Sequence, residues 1–289
     1  KRGAQAVQAL PEKMGGIEMD RKAVARQTLE ILKRGSYEQG GRTVELAAVH
    51  KRSVEGSRLF TPEEGERILR SFEGRQVQQI PTWGYKNCST VDAVLEFARR
   101  GDRHIGVLNF ASAKNPGGGF LNGAMAQEES LAATSGLYET LVANERYYQV
   151  NRGCQTMMYT DHAIYSPDVV FFRDGRFELL AEPVTASVLT LPAVNMGQVV
   201  LKGEDVREAE QVMRHRMKLA LALFANQGDR NLILGAYGCG VFRNDPVRIA
   251  GWWKEFLSGG FGGCFDQVLF AVLDRSAGQA CIRAFEAVF

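Results

Sequence analysis

The chain has 289 residues, 45% of them hydrophobic, and its 35 Lys and Arg against 33 Asp and Glu leave a formal charge of +2. That length and apolar content suit either one α/β domain with an N-terminal extension or two domains. The near balance of charge excludes a general electrostatic drive toward nucleic acid or anionic membrane, so any anionic ligand has to be held locally.

Five cysteines (Cys88, Cys154, Cys239, Cys264, Cys281) are odd in number and widely spaced, with no Cys-x-x-Cys pair. This points to free thiols in a reducing, cytoplasmic compartment. No apolar run approaches the roughly 18 residues of a membrane span, and the basic, glycine-containing start lacks the apolar core of a signal peptide.

Residues 1–19 carry weak periodicity and are expected to be mobile. A first helix follows Asp20, with Val24, Thr28, Ile31 and Leu32 on one face and Gly35 as its stop. A strand is expected over Thr43 to Val49. Thr61-Pro62-Glu63-Glu64 then forms a capping box, with Thr as N-cap, Pro at N1 and Glu at N3, and its helix runs to about Phe72. Strands and helices alternate from there: Gln76 to Ile80, a helix over Thr90 to Arg99, a strand over Ile105 to Phe110, and a helix over Gln127 to Ala143. Strands follow around Ala163 to Tyr165, Val169 to Phe172 and Ser187 to Val194. The strongest helix covers Glu204 to Asn226, ends at Gly228 and leads to the apolar strand Leu232 to Leu234. A helix entered at Asp245-Pro246, a strand over Val268 to Leu273 and a helix over Gly278 to Phe289 complete the order. Near-continuous apolar strands between helices fit a sheet covered on both faces, a three-layer α/β class.

Two glycine loops each follow a buried-type strand and precede a helix, which is where open α/β sheets bind ligands. The first contains Asn115-Pro116-Gly117-Gly118-Gly119, followed by Gln127-Glu128-Glu129 at a helix start. The second is Gly235-Ala236-Tyr237-Gly238-Cys239-Gly240-Val241-Phe242, whose consecutive N–H groups can form a concavity for a diphosphate. Neither carries the dinucleotide or P-loop fingerprint. Phe242, directly after the glycines, is placed to stack on a ribose or base. Paired carboxylates beside a phosphate-holding loop suggest an enzyme acting on a phosphate-bearing sugar. Adjacent on a helix, Glu128 and Glu129 project about 100° apart, so one is expected to be the acid/base and the other a positioner. Repulsion and partial burial should raise the pKa of at least one.

Other chemistry is weaker. His50, His104, His162 and His215 share no ligand spacing, so no zinc site is expected. Asp161-His162 with Cys154 is a poor candidate for a thiol hydrolase, and Arg214-His215-Arg216 reads as a solvated helix face.

The run Val107 to Gly119 with Gln127-Glu128-Glu129 resembles the signature of the bacterial-type poly(ADP-ribose) glycohydrolases, whose catalytic core is a macrodomain. Gly235 to Asn244 looks like the second, diphosphate-binding loop of that family, and Tyr165-Ser166-Pro167-Asp168-Val169 with Phe172-Arg173-Asp174 looks like the segment between. The likeness spans roughly Thr90 to Phe289. It implies a three-layer α/β/α macrodomain with a mixed central sheet over residues 76–289, preceded by a mainly helical extension over residues 1–75 packed on the core. It also implies hydrolysis of the ribose–ribose O-glycosidic bond of poly(ADP-ribose) from the chain end, with ADP-ribose as product and no cofactor or metal. Glu129 would be the catalytic acid and Glu128 would orient the ribose. Asn109 and Asn115 would touch ribose, and Gln127, Gly117, Gly118, Gly119, Gly238, Cys239, Gly240, Val241 and Phe242 would complete the substrate-binding set. The partners implied are poly(ADP-ribose) or ADP-ribosylated proteins, met by a monomer without direct DNA or membrane binding that serves the DNA damage response.

Three rivals remain at this point: an ADP-ribose-binding module, which would need the loops but no paired Glu; a hydrolase of mono-ADP-ribosyl or O-acetyl-ADP-ribose bonds, which would share the pocket; and a nucleotide-dependent oxidoreductase, disfavoured by both loops.

Overall fold

Local signals in the sequence set most of the element ends. A computed structural model of the chain describes residues 20–75 and 79–289. Asp20 caps α1 (Arg21–Arg34), which stops at Gly35. A hairpin follows, β1 (Ser36–Gln39) and β2 (Arg42–Glu45), and then α2 (Ala47–Gly56). The strand expected over Thr43 to Val49 is thus half right: it ends at Glu45, and Ala47 to Val49 open a helix. β3 (Arg58–Phe60) leads into α3 (Pro62–Arg70), whose capping box joins Thr61 and Glu64 as expected.

The strand expected over Gln76 to Ile80 falls partly outside the described residues. Gln79 and Ile80 are not in a strand; the strand is β4 (Thr82–Lys86), beyond Pro81. Proline cannot donate to a ladder, which accounts for the displacement. α4 (Thr90–Arg99) and β5 (Ile105–Phe110) match expectation. A single 3₁₀ turn, Phe120–Asn122, lies inside the first glycine loop. The helix expected from Gln127 to Ala143 is two, α5 (Gln127–Thr134) and α6 (Leu137–Val142), because Ser135 leaves the helix to bridge Phe171. α7 (Glu145–Arg152) follows, then two long strands, β6 (Ala163–Arg173), continuous through an irregularity after Ser166, and β7 (Leu179–Leu191). α8 (Met196–Lys202), α9 (Val206–Gln227), β8 (Asn231–Leu234), α10 (Pro246–Ser258), β9 (Gln267–Ala271) and α11 (Ala280–Glu286) complete the described chain.

Seven strands form one sheet in the order β3-β6-β7-β5-β8-β9-β4. β7, β5, β8, β9 and β4 are mutually parallel, and β6 runs antiparallel between β3 and β7. The sheet is therefore mixed, with the three-layer order expected for a macrodomain. Alternate strand residues face opposite cores. Leu108, Leu189, Leu232 and Leu234 pack with α9, α10 and α11, whereas Val107, Val188 and Ile233 pack with α4, α5 and α7. Residues before position 76 supply both helices that cover the core and the edge strand β3. β5 sits between β7 and β8, so the loops leaving those three strands emerge side by side at one sheet edge.

Candidate active site

Gln127 fixes the geometry of the first loop. Its side-chain amide copies a strand partner at the end of β5, accepting from the Phe110 N–H (2.8 Å) and donating to the Leu108 carbonyl (2.8 Å) and the Thr90 hydroxyl (3.2 Å). These bonds pin the N-terminus of α5 beside β5. Asn109 is fully buried and donates to Glu128 Oε1 (3.2 Å) and Thr190 Oγ1 (3.1 Å), which holds the Glu128 carboxyl in place. Its own Oδ1 is buried without a partner. Asn115 is exposed at the loop tip, with its backbone N–H on the Ser112 hydroxyl.

Glu128 lies beneath the loop, only 3% exposed, and accepts from the Ser112 N–H at 2.7 Å. Burial pushes its carboxyl up to about 8, against the lowering effect of the Ser112 N–H and the Asn109 amide. The neighbouring Glu129 charge adds to the rise. Glu129 is half-buried. Its Oε1 accepts from the Gly119 N–H (2.8 Å), and its Oε2 reaches back to the Ala126 N–H (3.0 Å) at the helix start. A proton is thus held near neutrality by the deeper carboxyl, while the shallower one, expected to be the acid, points along the loop.

Gly118 is the point at which both carboxylates meet. Its φ is +59°, and a Cβ there would lie 2.4 Å from Glu129 Oε1 and 3.2 Å from Glu128 Oε2. Any side chain would occupy the space where the carboxylates converge, and the left-handed backbone itself favours glycine. Although the two side chains leave the helix in different directions, the loop wraps the helix end so that both reach one spot. A narrow cleft opens from Glu129 past Phe120, Gly123 and Ser130 to Arg21 and Phe177.

The second loop lies against the first through Phe110 and Tyr237, whose ring centroids are 5.6 Å apart. The Tyr237 hydroxyl donates to the Leu191 carbonyl at the end of β7, and the Asn244 amide holds the Val194 and Gly238 carbonyls. Gly238 permits that closure, since a Cβ would fall 2.7 Å from Ala193 Cβ. Gly240 faces open space and Val241 is 82% exposed. Among the described residues, no acceptor takes the backbone N–H of Gly240, Val241 or Phe242, which leaves a row of donors at the mouth. The Cys239 thiol turns inward, toward the Tyr237 carbonyl at 3.8 Å, and burial raises its pKa. Cys239 therefore offers backbone only. Phe242 is half-buried, its ring 6.2 Å from that of Tyr159.

Two readings from the sequence need correction or closure. Arg216 is not on a solvated face: it is 1% exposed and bonded on several sides. The imagined Cys154–His162 pair does not form, since the Cys154 thiol meets Thr156 and His162 Nδ1 meets Thr160. Among the described residues, no group of His, Cys, Asp and Glu is arranged to hold a metal ion, and no helix is long and apolar enough to cross a membrane. All five cysteines are free.

Two loops at adjacent parallel strand ends, one with converging carboxylates and one with unpaired N–H donors, define a three-layer α/β enzyme whose site suits a phosphate-bearing sugar. Comparison with known proteins narrows this. Residues 25–174 match the family described as microbial-type PARG, catalytic domain. The solved poly(ADP-ribose) glycohydrolase of Thermomonospora curvata is 39% identical, with a TM-score of 0.89, over 93% of this chain and 99% of that one. A structure of the same enzyme with the inhibitor ADP-HPD gives 0.87 over the same spans. The poly(ADP-ribose) glycohydrolase of Deinococcus radiodurans, solved with ADP-ribose, is 41% identical, with a TM-score of 0.78, over 84% of this chain and 98% of that one. No curated protein matches significantly in sequence. The chain belongs to the microbial-type PARG family.

Proposed function

We propose that this site hydrolyses the ribose–ribose O-glycosidic bond of poly(ADP-ribose) from the chain end, releasing ADP-ribose. The observation that carries the reading is the meeting of Glu128 and Glu129 at Gly118, beside a second loop with free backbone donors. The diphosphate lies on the N–H groups of Gly240, Val241 and Phe242, and the terminal ribose enters over Gly117, Gly118 and Gly119, with Asn115 at its rim. Cleavage builds oxocarbenium character at C1 and negative charge on the departing 2′-oxygen, which needs a proton. Glu129 delivers it, because Glu129 is only half-buried whereas Glu128 is covered. As carboxylate, Glu129 then takes a proton from the attacking water. Glu128, protonated at neutral pH, donates to a ribose hydroxyl and keeps a second negative charge away from Glu129.

Near-balanced charge and five free thiols support a monomer that works in the cytoplasm without direct DNA binding, and the substrate class connects it to the DNA damage response. Residues 1–75 serve as the support of a catalytic unit over 76–289.

The test is incubation of purified protein with automodified poly(ADP-ribose), free ADP-ribose being followed by chromatography, beside Glu129→Gln. Wild type is expected to release ADP-ribose and the variant to lose roughly 10²–10⁴-fold in turnover while still binding ADP-ribose by calorimetry. Release from singly modified protein but not from polymer would favour a mono-ADP-ribosyl hydrolase. Binding without release would favour a reader.

A further inference from the structure

The turn Met157 to Asp161 lies far from both glycine loops in sequence, yet Tyr159 ends beside Phe242. Tyr159 has a φ of +59°, in the left-handed region that a bulky side chain rarely enters, and Arg243, directly after Phe242, has a φ of +58°. Such backbone persists only where the surroundings over-determine it, and it clusters at functional sites. Here the surroundings are explicit. Arg216 Nε holds Asp161 Oδ1 at 2.7 Å. Its Nη1 donates to the Met158 carbonyl (2.7 Å) and the Pro192 carbonyl (2.9 Å), and its Nη2 to the Tyr159 carbonyl (3.5 Å). The Glu204 carboxylate receives the Met157 N–H, and Asn151 receives the Thr160 N–H. Every residue of the turn is tied through backbone or carboxylate. Among the described residues, no hydrogen-bond partner meets the Tyr159 hydroxyl, and its ring lies 6.2 Å from that of Phe242. The Phe242 carbonyl is taken by the Gly197 N–H at 3.0 Å. Only a guanidinium fork can serve four acceptors in these directions, which a lysine ammonium could not.

We propose that the turn 157–161, clamped by Arg216, is a third element of the ligand site, with Tyr159 as the positioning residue that fixes the Phe242 ring for ADP-ribose. This rests on the reading above, in which Phe242 touches the ligand. Its prediction opposes stability to binding. Tyr159→Gly relieves the left-handed strain, so its melting temperature stays at or above that of wild type, while its affinity for ADP-ribose falls about tenfold by calorimetry. Tyr159→Phe binds as wild type does. Combining Tyr159→Gly with Phe242→Ala weakens binding no further than Phe242→Ala alone, because the first acts through the second. Wild-type affinity in Tyr159→Gly, additive losses in the double variant, or a fall in melting temperature that tracks the fall in binding would each overturn the proposal. Wild type that fails to bind ADP-ribose in the same titration would instead overturn the reading on which it rests.

Discussion

Replacing Glu128 by glutamine should remove a pH dependence of stability that the fold itself creates. The carboxyl is pushed up to about 8 in the folded chain by burial, from an ordinary value of 4.5. Between those values the folded state binds a proton that the unfolded state does not. The stability that goes with the proton is therefore fully present below about pH 4.5 and is lost as pH rises toward 8. From pH 5.5 to 8 the slope of about 1.4 kcal/mol per unit amounts to roughly 3 kcal/mol. Glutamine has the shape of the neutral acid, and its oxygen can still accept from the Ser112 N–H that now meets Glu128. It cannot ionise, so that portion of the slope vanishes. Denaturant unfolding of wild type and Glu128→Gln at pH 5.5 and 8 measures it: wild type should lose about 3 kcal/mol more than the variant across the interval. Parallel loss in both proteins would refute the claim that Glu128 holds a proton at neutral pH.

The same proton predicts a basic limb near pH 8 in the kcat/KM profile, since above it Glu128 ionises and sets a second negative charge beside Glu129; a profile flat to pH 9.5 would contradict a protonated Glu128. Gly118→Ala should lower turnover about 10- to 100-fold, because its Cβ would lie 2.4 Å from Glu129 Oε1, and should cost roughly 1–3 kcal/mol of stability. Wild-type kinetics in that variant would show that the carboxylates do not need to meet there. A chain begun at residue 76 should fail to fold cooperatively by circular dichroism and calorimetry, because it lacks β3 and leaves Val170 and Phe172 without Ile31, Leu32 and Tyr37. A sharp melt of that fragment would establish residues 76–289 as an independent unit.

How far the sequence discloses this molecule depends on the range of the forces involved. The Thr61 capping box, the stop at Gly35 and the buried strands β5 and β8 rest on contacts within a few residues, and each lies where its local signal puts it. The hairpin β1–β2 is absent from the sequence reading although Gly40-Gly41 is a two-residue turn signal, and Ala47-Ala48-Val49 extends the expected strand past the true helix start. Residue types in the first loop disclosed the paired carboxylates, but they could not disclose which one would be buried. That depends on Asn109 and Thr190 lying under Glu128 and on Gln127 locking α5 to β5, contacts that span 17 to 81 residues.

Arg216 shows why the remainder stays hidden. In sequence it lies between Arg214 and His215 on one side and Met217 on the other, within a helix whose polar residues read as solvent-facing. Its burial is favourable only because three carbonyls and Asp161, from segments 24 to 58 residues away, meet its fork in three dimensions. An arginine without those acceptors could not be buried, since an unpaired charge in the interior costs several kcal/mol. Three of the four acceptors come from a turn that no propensity would place, because Tyr159 adopts a backbone conformation that its own side chain disfavours. Buried charge and strained turn each make the other tenable, and through the turn the Tyr159 ring comes to 6.2 Å from that of Phe242, in a loop that is otherwise rich in glycine.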